Sequence, residues 1–283
     1  MSKTLKSWRL SLAHLTIDEA DPFELIEAAA AAGFDSIGLR VIPAAGAPAR
    51  TPLAGDDDLI ARVKKALALS GLSVLQVNSF WITPERTAVH FAPVLDAALE
   101  LGAENVLVVI ADPDLARGTD HFDACCAAAE AAGIGIALEF HSYSPVRSLA
   151  QALRIVEESG YQGAGLVVDT LHFDRTGGQP GDLAGLPEGR LRFVQLADAP
   201  ATRPAPQDLR REARTGRLYP GEGQLPLFAI LDALPGAIPL DLEAPSAHVA
   251  HLPVQEQARL AAEATRRFLA RHADHATAMR RGS

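Results

Sequence analysis

Residues 134–172 read IGIALEFHSYSPVRSLAQALRIVEESGYQGAGLVVDTLH, and this stretch decides the fold. Two apolar runs of strand length, Ile134 to Phe140 and Gly165 to Asp169, flank a helical segment from Val146 to Ser159. Gly160 follows that segment, and glycine best tolerates the left-handed backbone that ends many helices. The stretch predicts a strand–helix–strand unit, and its continuous apolar strands are typical of a parallel sheet covered on both faces.

The same alternation of apolar runs and helical segments occurs eight times along the 283 residues. The predicted strands are 10–14, 36–41, 74–78, 105–111, 134–140, 165–169, 192–196 and 239–243. Eight such units favour a closed barrel, and a (β/α)8 barrel usually has about 250 residues. We predict a single (β/α)8 TIM barrel over residues 1–283, with a polar insertion at about 200–223 and a frayed tail after Arg271.

The composition limits the classes of partner. The formal net charge of −9 argues against nucleic acid, whose binding needs a basic surface, and against an abasic-site endonuclease. No stretch approaches the about 20 apolar residues of a membrane span. Cys125 and Cys126 are adjacent, a poor geometry for a disulfide. We therefore expect a cytoplasmic protein with a small-molecule substrate and no membrane partner, and leave a homo-oligomer open.

Four polar residues stand at the ends of consecutive apolar strands: Glu139, Asp169, Gln195 and Glu243. The chemistry of a TIM barrel lies where its strands end, so these side chains should meet at one mouth. Buried carboxylates that converge without a cation would repel one another, and each would be costly to bury. A divalent cation removes that repulsion, and oxygen ligands favour Mg²⁺ or Mn²⁺ over zinc. We predict one divalent metal ion bound by these four residues.

This set resembles the sugar phosphate isomerase/epimerase family of xylose-isomerase-like TIM barrels. The resemblance includes His172, three residues after Asp169, and the Pro-Gly-Glu-Gly segment at 220–223. It implies that the four strand-end residues are metal ligands and that His172 contacts the substrate or transfers a proton. Most members carry histidine where this chain has Gln195. Glutamine followed by Leu-Ala-Asp-Ala-Pro is more similar to the bacterial 3-dehydroshikimate dehydratases of the same superfamily, whereas the Glu-Phe-His-Ser context of strand five is not.

The predicted ligand set indicates proton transfer next to a carbonyl group. A bound cation would polarise the carbonyl and stabilise the enediolate that forms when the α-proton leaves. Glu139, Glu243 and His172 are the predicted catalytic acid and base groups. We predict an isomerase or epimerase acting on a small polyhydroxylated keto substrate such as a sugar, sugar acid or polyol. A dehydratase of a cyclic hydroxy-ketone, such as 3-dehydroshikimate or an inosose, and a non-catalytic sugar-binding barrel remain alternatives.

Five further residues are predicted to bind the substrate: His14, Arg40, His141, Arg217 and Glu222. Arg217 immediately precedes the 220–223 loop, from which it could reach over the mouth to an anionic or hydroxylated group by bidentate hydrogen bonds. Glu222 could orient Arg217 or a metal ligand. The other arginines of the insertion are interpreted as a solvated charged face.

Overall fold

The structure, a computed structural model, describes residues 8–43 and 52–281. Eight parallel strands pair in chain order and β8 closes on β1, so the predicted TIM barrel is confirmed. The strands are β1 (Leu10–Ala13), β2 (Ser36–Arg40), β3 (Ser73–Ile82), β4 (Asn105–Ile110), β5 (Gly135–Glu139), β6 (Ala164–Asp169), β7 (Leu191–Leu196) and β8 (Leu240–Leu242).

Helices cover the outside of the barrel between successive strands. They are α1 (Pro22–Ala31), α2 (Asp57–Ser70), α3 (Ala92–Leu101), α4 (Leu115–Ala132), α5 (Leu149–Glu158), α6 (Thr170–Arg175), α7 (Pro180–Ala184), α8 (Leu209–Thr215), α9 (Leu227–Ala233) and α10 (Val254–Arg281). Local sequence explains their ends: α1 begins with a capping box between Asp21 and Glu24. Gly71, Gly102 and Gly133 end α2, α3 and α4 in the left-handed conformation.

Several boundaries differ from the sequence predictions, and three of the differences have a local cause. Strand β3 continues past Asn78 to Ile82 because the pairing with β4 shifts register between Val77 and Phe80, which restores the ladder. The sequence pattern predicts a helix from Phe122 to Ala132, but α4 begins at Leu115, where the Asp114 side chain accepts from the Arg117 N–H. Helix α10 continues to Arg281, where a frayed tail was predicted, because no glycine or proline interrupts the segment before residue 282.

Two layers of side chains fill the interior. The larger apolar core lies between the barrel and its helices, and a smaller cluster joins residues of β3 to β7 inside the barrel. That inner cluster consists of Leu75, Leu107, Val109, Ala137, Val167 and Phe193, with Trp81 packed against it. It closes the barrel below the strand ends, so a small molecule can enter only from the mouth. No helix in the described ranges is both long and apolar enough to span a bilayer.

The insertion after β7 folds back onto the mouth. Asp198 and Leu218 form an isolated antiparallel bridge, and Gly216 forms another with Ser246, which follows β8. Helix α8 lies within the insertion, which was predicted only as a polar segment. The two bridges fix the backbone on both sides of Arg217 over the carboxyl ends of the strands.

Candidate active site

Three carboxylates meet at the mouth of the barrel, and we call them the acid cluster: Glu139, Asp169 and Glu243. Glu139 ends β5, Asp169 ends β6 and Glu243 directly follows β8. One oxygen from each lies within 4.8 Å of the oxygens offered by the other two, and all three residues are buried. The closure of the barrel thus brings together Glu139 and Glu243, which are 104 positions apart in the sequence.

Gln195 joins the acid cluster through β7. Its backbone is in register with Asp169 on β6 and with Asp241 on β8. The Nε2 atom donates a 2.9 Å hydrogen bond to Oε1 of Glu243. The Oε1 atom of Gln195 is buried and has no hydrogen-bond partner among the described residues. The structure therefore brings all four predicted ligands to one place.

Arg217 is buried against the acid cluster rather than extended over the mouth. Its Nη1 donates to Oδ2 of Asp169 and, at 2.9 Å, to the carbonyl oxygen of Glu243. Its Nη2 lies 3.2 Å from Oε2 of Glu243, and its Nε donates to the Ala213 carbonyl at 2.7 Å. Only 2% of the residue is exposed; it borders the pocket, with its guanidinium already paired with two acids.

The pKa values of Glu243 and Asp169, two members of the acid cluster, are shifted in opposite directions. Burial raises the pKa of Glu243 well above its ordinary value, and the charges of Glu139 and Asp169 raise it further despite the opposing Arg217. For Asp169, burial is outweighed by Arg217 and by hydrogen bonds, which lower its pKa. Burial alone would lower the pKa of Arg217, but its carboxylate partners raise it. A single guanidinium, that of Arg217, therefore offsets part of the repulsion among the three carboxyl groups.

The donor set fits a divalent cation. Three carboxylates face a single guanidinium, so two formal negative charges remain for a cation to neutralise. The unpartnered Oε1 of Gln195 supplies a neutral oxygen beside them. Glu139, Asp169, Gln195 and Glu243 would hold the ion, and such an all-oxygen set suits Mg²⁺ or Mn²⁺.

His141 adds an imidazole to the acid cluster. Its Nε2 lies 2.9 Å from Oε1 of Glu139, and its Nδ1 is buried with no partner among the described residues. Glu139 accepts a hydrogen bond from this Nε2. The Trp81 and Tyr143 rings lie 5.1 Å from the His141 ring and hold it from two sides.

His172 is the second imidazole, with its ring centroid 4.4 Å from that of His141. Its Nδ1 is 3.4 Å from Oγ of Ser142, and its Nε2 makes no hydrogen bond to the described part of the chain. Burial and the neighbouring His141 and Arg217 lower the pKa of His172 well below the ordinary 6.5, against the opposing charge of Asp169. His172 is therefore a neutral imidazole at pH 7, able to accept a proton.

The rim of the pocket carries two more arginines. Arg40 ends β2 and pairs with Asp18, with Nη1 and Oδ1 2.5 Å apart. Arg214, on α8, lines the same pocket, is partly exposed and has no ion pair in residues 8–43 or 52–281. Asn78 faces the pocket from β3. Sequence reasoning grouped Arg214 with the solvated arginines and missed Tyr143, although a polar aromatic two residues after His141 in a βα loop was an available signal.

Two predicted substrate residues lie elsewhere. His14 is buried and uses both ring nitrogens, Nε2 with the Ala20 carbonyl at 2.9 Å and Nδ1 as acceptor from the Arg40 N–H at 3.2 Å. It lines a neighbouring groove rather than the pocket of the acid cluster. Glu222 is exposed and does not orient Arg217, whose described partners are Asp169, Glu243 and Ala213.

The position of Glu222 follows from Asp198. The Asp198 carboxylate accepts from the N–H groups of Gly221 at 2.9 Å, Gly223 at 3.0 Å and Leu225 at 3.0 Å. A Cβ on Gly223 would lie 2.4 Å from the Ala199 carbonyl oxygen, so glycine is required there. The loop amides turn inward to Asp198, and the Glu222 side chain is left at the surface.

A closed TIM barrel with an acid cluster, two imidazoles and arginines at its carboxyl-terminal mouth has the arrangement of an enzyme active site. The chain belongs to the family of xylose isomerase-like TIM barrels, whose family model matches residues 26–272. The relatives of the chain are enzymes, among them dehydratases and epimerases.

A curated relative is the 3-dehydroshikimate dehydratase of Pseudomonas aeruginosa, 28% identical in an alignment of 221 residues that covers 74% of this chain and 33% of the relative. The chain thus spans about a third of that protein. The structure of the IolI protein with bound zinc has a TM-score of 0.79 and 19% identity, covering 93% of this chain and 99% of that one. For 3-keto-D-glucoside 4-epimerase of E. coli the TM-score is 0.69 and the identity 17%, covering 91% and 99%.

Proposed function

We propose that the protein is a metal-assisted dehydratase that removes water from a small cyclic hydroxy-ketone bearing a carboxylate, of the 3-dehydroshikimate type. One observation carries the proposal: the neutral His172 borders the same pocket as the acid cluster, together with Arg214, which has no ion pair in the described part of the chain. The identity to the Pseudomonas aeruginosa dehydratase and the glutamine at position 195 support the same reaction class.

Arg214 is suited to bind the carboxylate of the substrate. The net charge of the chain is −9, so an anionic substrate needs local cationic groups to enter the pocket. Arg40 and Arg217 are already paired with acids, whereas the Arg214 guanidinium is available for bidentate hydrogen bonds. A neutral sugar would leave Arg214 without a partner.

His172 is the proposed general base. As a neutral imidazole whose Nε2 lacks a hydrogen bond to the described chain, it can accept the proton from the carbon next to the substrate carbonyl. When bound, a divalent cation would polarise that carbonyl and make the adjacent C–H bond more acidic. Asp169 accepts hydrogen bonds from the backbone N–H groups of Leu171 and His172, which positions His172 on the first turn of α6.

His141 is the proposed general acid. Its Nε2 contacts the Glu139 carboxylate, which would stabilise the ring while Nδ1 carries a proton to the substrate. Transfer of that proton to the β-hydroxyl releases water and leaves a carbon–carbon double bond conjugated with the carbonyl. The proton gained by His172 balances the one lost by His141, whose ring lies 4.4 Å away.

Epimerisation or isomerisation is the second candidate. Glu243, whose pKa burial raises well above its ordinary value, can return a proton to a carbon on the face opposite the base. The fold of 3-keto-D-glucoside 4-epimerase is similar to this barrel. In this alternative, Glu139 and Glu243 are the acid and base, and the hydroxyl group is retained.

The experiment is incubation of the purified protein with Mn²⁺ and either 3-dehydroshikimate or a panel of ketoses in D₂O. Because 3-dehydroshikimate is itself a conjugated enone, we expect its loss together with the rise of an aromatic product that absorbs at longer wavelength. Deuterium uptake by a ketose without new absorbance would replace the proposal by the isomerase or epimerase alternative. Ligand binding that persists in EDTA with neither change would indicate a sugar-binding barrel.

A further inference from the structure

We infer that Arg217 is an internal counter-ion of the acid cluster, which holds the carboxylates together before a divalent cation binds and which that cation displaces from Asp169. This inference rests on the metal site of the proposed function.

The contacts of Arg217 place it in competition with the cation. Nη1 donates to Oδ2 of Asp169, and Nη2 lies 3.2 Å from Oε2 of Glu243. A cation such as Mg²⁺ binds carboxylate oxygens at about 2.0–2.1 Å and so needs the same oxygen lone pairs. Because one oxygen from each carboxylate lies within 4.8 Å of the others, a second positive charge inserted among them would also repel the guanidinium.

Arg217 can withdraw without loss of all its hydrogen bonds. Nε donates to the Ala213 carbonyl at 2.7 Å and Nη1 to the Glu243 carbonyl at 2.9 Å, and neither bond involves a carboxylate. The backbone at Arg217 is fixed, because its N–H donates to the Pro245 carbonyl at 3.2 Å and the next N–H donates to the Asp198 carbonyl at 2.9 Å. The exchange therefore requires only that the guanidinium shift away from the Asp169 carboxylate, with no movement of the loop.

The opposite role, in which Arg217 preorganises the carboxylates for the metal, gives the opposite outcome. A preorganising arginine would strengthen metal binding, and its removal would weaken it. A competing arginine lowers the affinity of the site for the metal, so its removal strengthens metal binding. The sign of the change in Mn²⁺ affinity separates the two roles.

The test is the Kd of Mn²⁺, measured by calorimetry for the wild-type protein, Arg217→Met and Arg211→Met. Arg211 is the matched control, since it lies on α8, is exposed, pairs with Asp208 and changes the net charge equally. We expect at least tenfold tighter binding in Arg217→Met and no change in Arg211→Met. Equal or weaker binding in Arg217→Met would overturn the inference.

A second measurement covers the case in which Arg217→Met does not fold. Crystal structures of the wild-type protein with and without Mn²⁺ should show the contact between Arg217 and Asp169 only in the metal-free form. Persistence of that contact with Mn²⁺ bound to Asp169 would overturn the inference. Neither readout uses turnover. If Arg217→Met binds Mn²⁺ more tightly while the wild-type protein dehydrates no substrate, only the proposed function is refuted.

Discussion

Gln195 donates from Nε2 to Oε1 of Glu243 at 2.9 Å, and the Oε1 of the same amide is buried without a partner among the residues that the structure describes. The amide thus stabilises one carboxylate of the acid cluster and offers a neutral oxygen beside it. A histidine at this position also has one donor and one acceptor, so glutamine preserves the hydrogen bond while exchanging a nitrogen ligand for an oxygen ligand.

Replacement of Gln195 by alanine removes both the donor and the predicted ligand. We expect the Mn²⁺ affinity to fall about 10- to 100-fold, as for other groups that orient or complete a metal site. Calorimetric titration measures the effect, with Gln224→Ala as the control because Gln224 is exposed. An unchanged Mn²⁺ affinity in Gln195→Ala would exclude Gln195 from the metal site.

His172→Gln tests the proposed general base. We expect turnover of the dehydratase substrate to fall by a factor of about 10²–10⁴, the usual contribution of a positioned base, while Mn²⁺ affinity is retained. The control is the exposed His251→Gln, for which kcat should match the wild type. Retention of normal turnover in His172→Gln would move the proton transfer to another residue.

Arg214→Met tests carboxylate recognition. A hydrogen bond to a charged group contributes about 1.5–3 kcal/mol, so we expect KM for 3-dehydroshikimate to rise by about 10- to 100-fold with a smaller change in kcat. Steady-state kinetics with Arg211→Met in parallel separates the pocket arginine from the loss of charge alone. Equal KM values for the two variants would mean that Arg214 is merely solvated.

Asp198→Ala should destabilise the loop that carries Arg217. Asp198 accepts hydrogen bonds from the N–H groups of Gly221, Gly223 and Leu225, which would be left without an acceptor. We expect the free energy of unfolding to fall by about 3 kcal/mol, since charged groups and buried donors are involved. Chemical denaturation measures it, and Asp208→Ala, which breaks an exposed ion pair, should change the stability by less than about 1 kcal/mol.

The lowered pKa of His14 predicts that the stability of the fold depends on pH. Burial and the nearby Arg40 lower its pKa from 6.5 to about 4, and the neutral ring uses both nitrogens. The unfolded chain therefore binds a proton that the folded chain does not, and stability falls as the pH decreases from 6.5 to about 4, by up to about 1.4 kcal/mol per pH unit. Denaturation of His14→Gln between pH 7.5 and 4.5 should show a shallower loss than the wild type, and identical slopes would contradict this role.

The barrel and the four strand-end residues were predictable because both depend on local patterns. Eight apolar runs, separated by helical segments that often end in glycine, predict the strands. A carboxylate such as Glu139 or Asp169 at the end of an apolar run can be recognised directly in the sequence. Parallel strands in a closed barrel must present those ends at one mouth. The meeting of Glu139, Asp169, Gln195 and Glu243 therefore follows from their positions in the sequence.

Only the tertiary structure decided the roles of the residues on the loops. Arg217 is directed into the acid cluster by bridges that pair 198 with 218 and 216 with 246, and no local pattern encodes such pairing. Glu222 is turned outward by the hydrogen bonds of its glycine neighbours to Asp198, and His14 is occupied by two backbone groups. Strands position side chains by a fixed alternation, whereas a loop residue points where its distant partners lie.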